Sequence, residues 1–272
     1  MQTPPRRSAV RPWAAALAAS VLAFLGTALV APRVPLDPGA SLAAAIASYL
    51  FSYACVSACT LAVARVAPDL GPRALGVVVP VVALLVALHG AEASLATAAI
   101  VLGALLAAGT SAGAALGARV QAAGHLLPVA IVSSVADAVS VLTPGAPSQL
   151  AVDTPAVLSL VALPWPFVGT SDQPAILGVG DVAFAALYLA AARKHGLSLA
   201  RTIVALAIGL GATALAVAAT SLPLPALPAL GLAIVVAHPE ARRVPPADRT
   251  AAWIGCVLAI GVGVFVWARR AW

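Results

Sequence analysis

Of the 272 residues, 62% are hydrophobic and only 9% are charged, with a mean hydropathy of +1.05. A water-soluble domain carries about 25% charge, so this chain has too little polar surface for a globule in water, and apolar runs continuous over roughly 20 residues exclude a barrel, whose strands alternate. The net charge of +6 does not point to nucleic acid, because the basic residues sit in short connections where membrane orientation accounts for them.

The sequence predicts an all-α polytopic membrane protein with about nine transmembrane helices, at 12–30, 41–64, 74–89, 93–117, 125–142, 174–193, 200–220, 224–237 and 251–268. The first follows Arg6, Arg7 and Arg11. Its apolar run exceeds a secretory h-region and no small-residue cleavage site precedes Pro32, so it reads as a retained anchor. Cys55 and Cys59, one helical turn apart, read as small buried hydrophobes, and no Cys/His spacing resembles a zinc site. His89, His125, His195 and His238 fall near segment ends, where interfacial or solvated roles are expected. No metal or other cofactor is expected.

With the N-terminus inside, the inner connections hold Arg6, Arg7, Arg11, Arg65, Arg73, Arg119, Arg193, Lys194, Arg201, Arg242, Arg243 and Arg249, twelve cations. The outer ones hold three, Arg33, Arg269 and Arg270. The excess of inside cations fixes this orientation and supports the alternation of nine spans. The long loop 143–173 then lies outside. It lacks Lys and Arg and carries Pro144, Pro147, Pro155, Pro164 and Pro166. Within it Val157–Leu163, with Trp165 and Phe167, is apolar but too short to span, and reads as an interfacial or re-entrant piece, a covering loop or a substrate gate.

Of the nine acidic residues, only Asp137 and Asp181 fall inside predicted spans. An ionisable residue in a membrane span marks a functional site. Asp137 lies in the outer half of the fifth span and Asp181 in the first turns of the sixth. Consecutive antiparallel helices are usually neighbours, which would bring the two carboxylates together at one depth. Two close carboxylates do not both ionise readily and share a proton, the state in which one draws a proton from water while the other hydrogen-bonds a scissile carbonyl. Gly178 and Gly180 remove side chains before Asp181, which permits close approach by a substrate or a neighbouring helix; glycine in membrane helices also serves packing alone. The eighth segment opens Ser221-Leu222-Pro223-Leu224-Pro225-Ala226-Leu227-Pro228. Closely spaced prolines resist a regular helix, and irregular backbone at membrane depth must be buried in protein or face a wet cavity. A simple helix start with proline in its first turn is the alternative.

An intramembrane Asp (Asp137), Gly178-Val179-Gly180-Asp181 on the next span, one further span, then Pro225-Ala226-Leu227, together resemble the presenilin and signal peptide peptidase family of GxGD intramembrane aspartyl proteases. The resemblance covers about residues 125–240 and extends to Val139-Ser140-Val141-Leu142-Thr143-Pro144 and Ala207-Ile208-Gly209-Leu210. It implies a presenilin-like catalytic half, a catalytic dyad of Asp137 and Asp181, and substrate-binding roles for Gly178, Gly180, Pro225, Ala226 and Leu227. Two features depart from the family. Ala136 stands where it has Tyr, and four spans precede the first Asp where it has five. An overlapping second Pro-Ala-Leu, Pro228-Ala229-Leu230, leaves the register there open. The chain divides on this reading into an N-terminal half, 1–124, a catalytic half, 125–240, and a basic loop with a terminal helix, 241–272.

A transmembrane substrate must unwind before cleavage, and its freed backbone is expected to pair as an added strand near Asp181, with the 143–173 loop and the Pro225–Pro228 stretch lining the site. Ser133, Ser134 and Ser140 either line a water path or bond their own helix backbone. The expected partners are transmembrane-helix substrates and the lipid bilayer, and the expected place is a prokaryotic cytoplasmic (inner) membrane. The outside position of the loop between the Asp helices resembles signal peptide peptidase and implies substrates with their N-terminus inside, such as signal-peptide remnants or single-span proteins. An ion- or proton-coupled transporter using the same acids and a catalytically silent scaffold remain the alternatives.

Overall fold

The computed structural model describes residues 7–88, 94–142, 158 and 160–271. His89, Glu92, Pro144, Pro147, Asp153 and Pro155 lie outside the described residues. Within these, nine α-helices overlap the nine apolar segments: α1 (Arg7–Val30), α2 (Leu42–Val66), α3 (Leu75–Ala87), α4 (Leu95–Gly117), α5 (Leu126–Leu142), α6 (Val179–Lys194), α7 (Leu199–Thr220), α8 (Leu227–Ala237) and α9 (Arg249–Ala271). Six of them, α1, α2, α4, α5, α7 and α9, are long and apolar enough to cross a bilayer. The chain is therefore a mostly helical integral membrane protein. The remaining helices are shorter: α3 has 13 residues, α6 16 and α8 11.

Local chemistry sets the ends. Ser41 and Ser198 cap α2 and α7, their hydroxyls accepting the Ala44 and Arg201 amides, and Ser94 does the same for the Thr97 amide at the start of α4. These bonds satisfy amides that have no partner inside the helix. After α6, Gly196 adopts φ +66° while the Leu197 amide returns to the Ala192 carbonyl, the left-handed stop that glycine makes without a Cβ clash. After α7, Ser221 takes φ 56° and its amide closes on Val217. Pro223 and Pro225 then cannot continue a helix, so residues 221–226 are non-helical and α8 begins late, at Leu227.

Beside the helices the chain forms one short β-ribbon. Ala162–Pro164 forms β1 and Ala175–Gly178 forms β2, an antiparallel pair in the register Ala162↔Gly178, Leu163↔Leu177 and Pro164↔Ala175. Pro164 has no amide to give the ladder, and the register slips there, leaving Ile176 as the extra residue of a bulge. The pairing continues outward, with the Trp165 amide on Pro174 and the Phe167 amide on Asp172. The sixth apolar segment thus starts as a strand and becomes helix only at Val179. The apolar piece around Leu163 and Trp165 is buried in protein. Leu163 is 0% exposed and Trp165 1%, the indole standing edge-on to Phe24 with centroids 5.7 Å apart.

The chain forms two compact units that interleave in sequence, Met1–Gly117 with Ala156–Ala190, and Ala118–Pro155 with Ala191–Trp272. The expected parts 1–124, 125–240 and 241–272 were contiguous stretches.

In the first unit, α4 is the buried centre. α1, α2 and α3 pack on it, as does β1. The Trp13 indole donates to Thr110 Oγ1 at 3.1 Å, pinning α1 to α4. The hairpin is anchored at its tip, where the Gly169 amide donates to the Ala31 carbonyl at 2.8 Å and Ser52 Oγ donates to the Pro166 carbonyl at 2.7 Å. Gly169 has φ +87°, and a Cβ there would stand 1.7 Å from the Leu36 carbonyl oxygen. Gly169→Ala is therefore expected to detach the hairpin tip from the α1–α2 connection at a cost of about 3 kcal/mol or more. Faster limited proteolysis between Phe167 and Gln173 measures the detachment; an unchanged cleavage rate and melting midpoint would contradict the docking.

In the second unit, α8 packs against α5 and α7, and α9 packs on α5. Gly231 of α8 faces Ala130, whose Cβ would lie 2.9 Å from a Cβ added at the glycine. Gly209 of α7 faces the Leu230 backbone at 3.0 Å on the same measure. Away from α5, α9 is apolar and exposed along its length, with Ile254 at 55%, Val257 at 65% and Leu258 at 62%, a lipid-facing surface. Two of the histidines have protein partners, and one of them is buried rather than solvated. His238 is 2% exposed, with Nε2 2.9 Å from Thr202 Oγ1, and His125 pairs with Asp248 at 3.1 Å. Cys55, Cys59 and Cys256 are free thiols, the first two half-buried and the last buried.

Candidate active site

The GxGD stretch sits where a strand turns into a helix with no linker. Gly178 is the last residue of β2, Val179 the first of α6, and Asp181 lies in the first helical turn. A carboxylate in that turn complements the unsatisfied amides and positive end of the helix. Neither glycine has a positive φ, so the requirement is for space rather than for backbone freedom. A Cβ on Gly178 would stand 3.3 Å from Asp181 Oδ2, so the carboxylate folds back over the glycine. A Cβ on Gly180 would meet nothing within 4 Å. The backbone before Asp181 is open on that side.

What holds α6 is a feature the sequence reading did not single out. Gly109, Gly113 and Gly117 recur every four residues along one face of α4. A Cβ on Gly109 would lie 2.9 Å from Val182 Cγ1, one on Gly113 1.9 Å from the Ala183 carbonyl oxygen, and one on Gly117 2.3 Å from the Leu187 carbonyl oxygen. The two backbones touch over more than two turns, the close approach that small residues at spacing four allow in membranes. Ala185–Ala192 of α6 is buried throughout. The period-four glycines in Gly109-x3-Gly113-x3-Gly117 were the available signal.

Asp137 is organised differently. Its Oδ2 accepts the Leu227 amide at 2.9 Å, with the Ala226 amide beside it. Ala226 is the N-cap residue of α8 and has no side chain to cap with, so Asp137, reaching across from α5, supplies the oxygen that a serine or aspartate usually supplies locally. Pro225-Ala226-Leu227 is the turn that meets the carboxylate, with Ala226 and Leu227 buried, while Pro228-Ala229-Leu230 is already inside α8. The other end of α8 is capped by cations: Arg242 donates to the Val235 and Val236 carbonyls at 2.8 and 3.0 Å and Arg201 to Ala237 at 3.4 Å, as the negative end of a helix favours. Ser133 and Ser134 both donate to the Ala130 carbonyl, at 3.1 and 2.6 Å, so they bond their own helix.

The structure therefore brings Asp137 together with Pro225, Ala226 and Leu227 in the second unit, and Gly178 and Gly180 together with Asp181 in the first. Counted along each helix separately, Asp137 stands about 17 Å from the first residue of α5 and Asp181 about 20 Å from the last residue of α6, at 1.5 Å per residue.

Comparison of this chain with protein-family models, with curated proteins and with solved structures finds no match.

Proposed function

We propose that this protein is an intramembrane aspartyl protease of the presenilin and signal peptide peptidase type, hydrolysing peptide bonds within transmembrane segments with Asp137 and Asp181 as its dyad. The observation that carries the reading is the seating of Asp137 on the Leu227 amide. An intramembrane carboxylate and a Pro-Ala-Leu turn far apart in the chain meet at one point, as the resemblance implies.

The chemistry uses water alone. One ionised carboxylate takes a proton from water as the water oxygen bonds the scissile carbonyl carbon, and the protonated partner hydrogen-bonds the carbonyl oxygen. The resulting diol collapses with proton transfer to the leaving nitrogen. β2 supports the step that must come first. It pairs with β1 on one side and ends beside Asp181, so an unwound substrate segment added to its other edge would lie along the open backbone at Gly180. The N-terminus lies inside a prokaryotic cytoplasmic membrane and the 143–173 connection outside, which selects substrates with their N-terminus inside. Ser171, exposed at the hairpin tip, tests this. In a chain with its three cysteines replaced by Ser, Ser171→Cys is expected to label with a membrane-impermeant maleimide on intact cells, and labelling only after permeabilisation would reverse the orientation.

A second reading is favoured by the same contact. Asp137 as a helix cap is a structural role that a silent scaffold would also need. The test that separates the two is cleavage of a single-span substrate in detergent by the wild type and by Asp137→Asn, Asp137→Ala and Asp181→Asn.

A further inference from the structure

The mouth of the second unit, where α5 and α9 begin and α8 ends, holds a cavity of about 510 Å³ that the proteolytic reading does not use. Its wall includes Leu127, Arg242, Arg243, Pro245, Arg249 and Trp253. Three arginines thus line one concavity with no acid in the wall. The neighbouring acid, Asp248, is engaged with His125 at 3.1 Å. Arg242 is held in place by its two bonds to α8 carbonyls, at 2.8 and 3.0 Å, which leave the rest of its five N–H donors over. Among the described residues, Arg243 and Arg249 make no side-chain hydrogen bond or ion pair to the protein.

The backbone under the arginines is fixed. A Cβ on Gly124 would stand 2.0 Å from the Arg243 carbonyl oxygen and 2.9 Å from Val244 Cα, so the loop lies directly on the turn before α5. Ala241 is 0% exposed and Val244 8%. The arginines therefore extend from a fixed backbone, and their chemistry suits a phosphate oxygen bound by planar donors. Its position selects the source of that phosphate. Trp253, half exposed at the rim, marks a membrane–water boundary, and from it the apolar face of α9 runs outward through Val257 and Leu258, both exposed.

We propose that this cavity binds the headgroup phosphate of an anionic phospholipid, whose acyl chains lie along α9. The three arginines hold the phosphate, Trp253 seats at the glycerol level, and the bound lipid fastens the α5–α9 pair to the inner leaflet. The site stands whether or not Asp137 and Asp181 cleave peptides.

The full chain, purified in a mild detergent and titrated with chain-matched phosphatidylglycerol or phosphatidylcholine, is read by native mass spectrometry. One phosphatidylglycerol is expected to remain bound in preference to phosphatidylcholine. Arg243→Gln with Arg249→Gln is expected to weaken that retention about thirtyfold, and the same pair changed to Lys to restore most of it. Arg269→Gln, at the far end of α9 over Phe265, is expected to change nothing, which separates a site from general surface charge. Millimolar inorganic phosphate is expected not to displace the lipid. Equal retention of the two lipids, undiminished retention in the Gln pair, or displacement by inorganic phosphate would each overturn the proposal. Should the Gln pair fail to fold, Arg249→Gln alone, at the exposed first residue of α9, is expected to weaken retention by a smaller factor, and no weakening there overturns the proposal equally.

Discussion

Replacing Asp137 with Asn is expected to reduce cleavage by about a thousandfold or more while leaving the thermal midpoint almost unchanged. Asn keeps an amide oxygen where the carboxylate oxygen stands, so the Leu227 amide retains its acceptor, and Asn caps helices about as well as Asp. What Asn cannot do is share or transfer a proton, and general acid–base groups contribute roughly 10²–10⁴ in rate. Asp137→Ala removes both functions. It should lose activity equally and in addition destabilise the protein by about 1–2 kcal/mol, because the first amides of α8 lose the cap that the carboxylate supplies. Asp181→Asn should match Asp137→Asn in activity. The outcome that removes the protease reading is specific: Asp137→Asn and Asp181→Asn both cleave at wild-type rate, with only Asp137→Ala impaired and in proportion to its lost stability. A cap would then be all that Asp137 is.

That distinction could not have been drawn from the sequence, and the reason is physical. The helices were legible because most apolar runs are long and several are bounded by a Ser cap, a glycine or a proline cluster. At α8 the prolines left two readings open, irregular backbone or a helix that opens on proline, and each holds in part: 221–226 is non-helical and Pro228 stands in the first turn. The ribbon before Asp181 was not legible. Ala162–Pro164 and Ala175–Gly178 are three and four residues long, too short for a period-2 pattern, and short apolar runs read equally well as the approach to a helix. The pairing is made by the turn at Gly169 and by amides from Trp165 and Phe167, interactions that leave no periodic trace. The contact between Asp137 and Leu227 joins residues far apart in the chain. Sequence order suggested that they belong to one site only through a resemblance, whereas the capping geometry gives the physical reason why a carboxylate at that height on α5 and a helix start at Leu227 go together.

The glycines of α4 give the other large effect, and they were present in the sequence but hidden by an alanine-rich background. Their demand is graded, so a series tests it. A Cβ added at Gly113 would lie 1.9 Å from the Ala183 carbonyl oxygen, 2.8 Å from its carbon and 2.9 Å from Ala186 Cβ. No rotamer change relieves a clash with backbone, so α6 must move by about 1 Å, roughly the misplacement that costs about a hundredfold in rate when it reaches a catalytic group. Gly113→Ala is therefore expected to destabilise the protein by about 3 kcal/mol or more and to depress cleavage about a hundredfold, since the displaced turn is the one after Asp181. Gly117→Ala, 2.3 Å from the Leu187 carbonyl oxygen, should destabilise similarly but disturb cleavage less, because its clash falls further along α6. Gly109→Ala meets side-chain atoms of Val182 at 2.9 and 3.1 Å and should cost less than either. Gly211→Ala on α7 meets nothing within 4 Å and should be neutral or stabilising by up to about 1 kcal/mol, the ordinary gain of alanine over glycine in a helix. Thermal midpoints of the four variants, with cleavage rates taken well below each midpoint, give the order directly. If Gly113→Ala melts with Gly211→Ala rather than far below it, α4 does not carry α6 on its glycine face, and the position of Asp181 must be set by the ribbon alone.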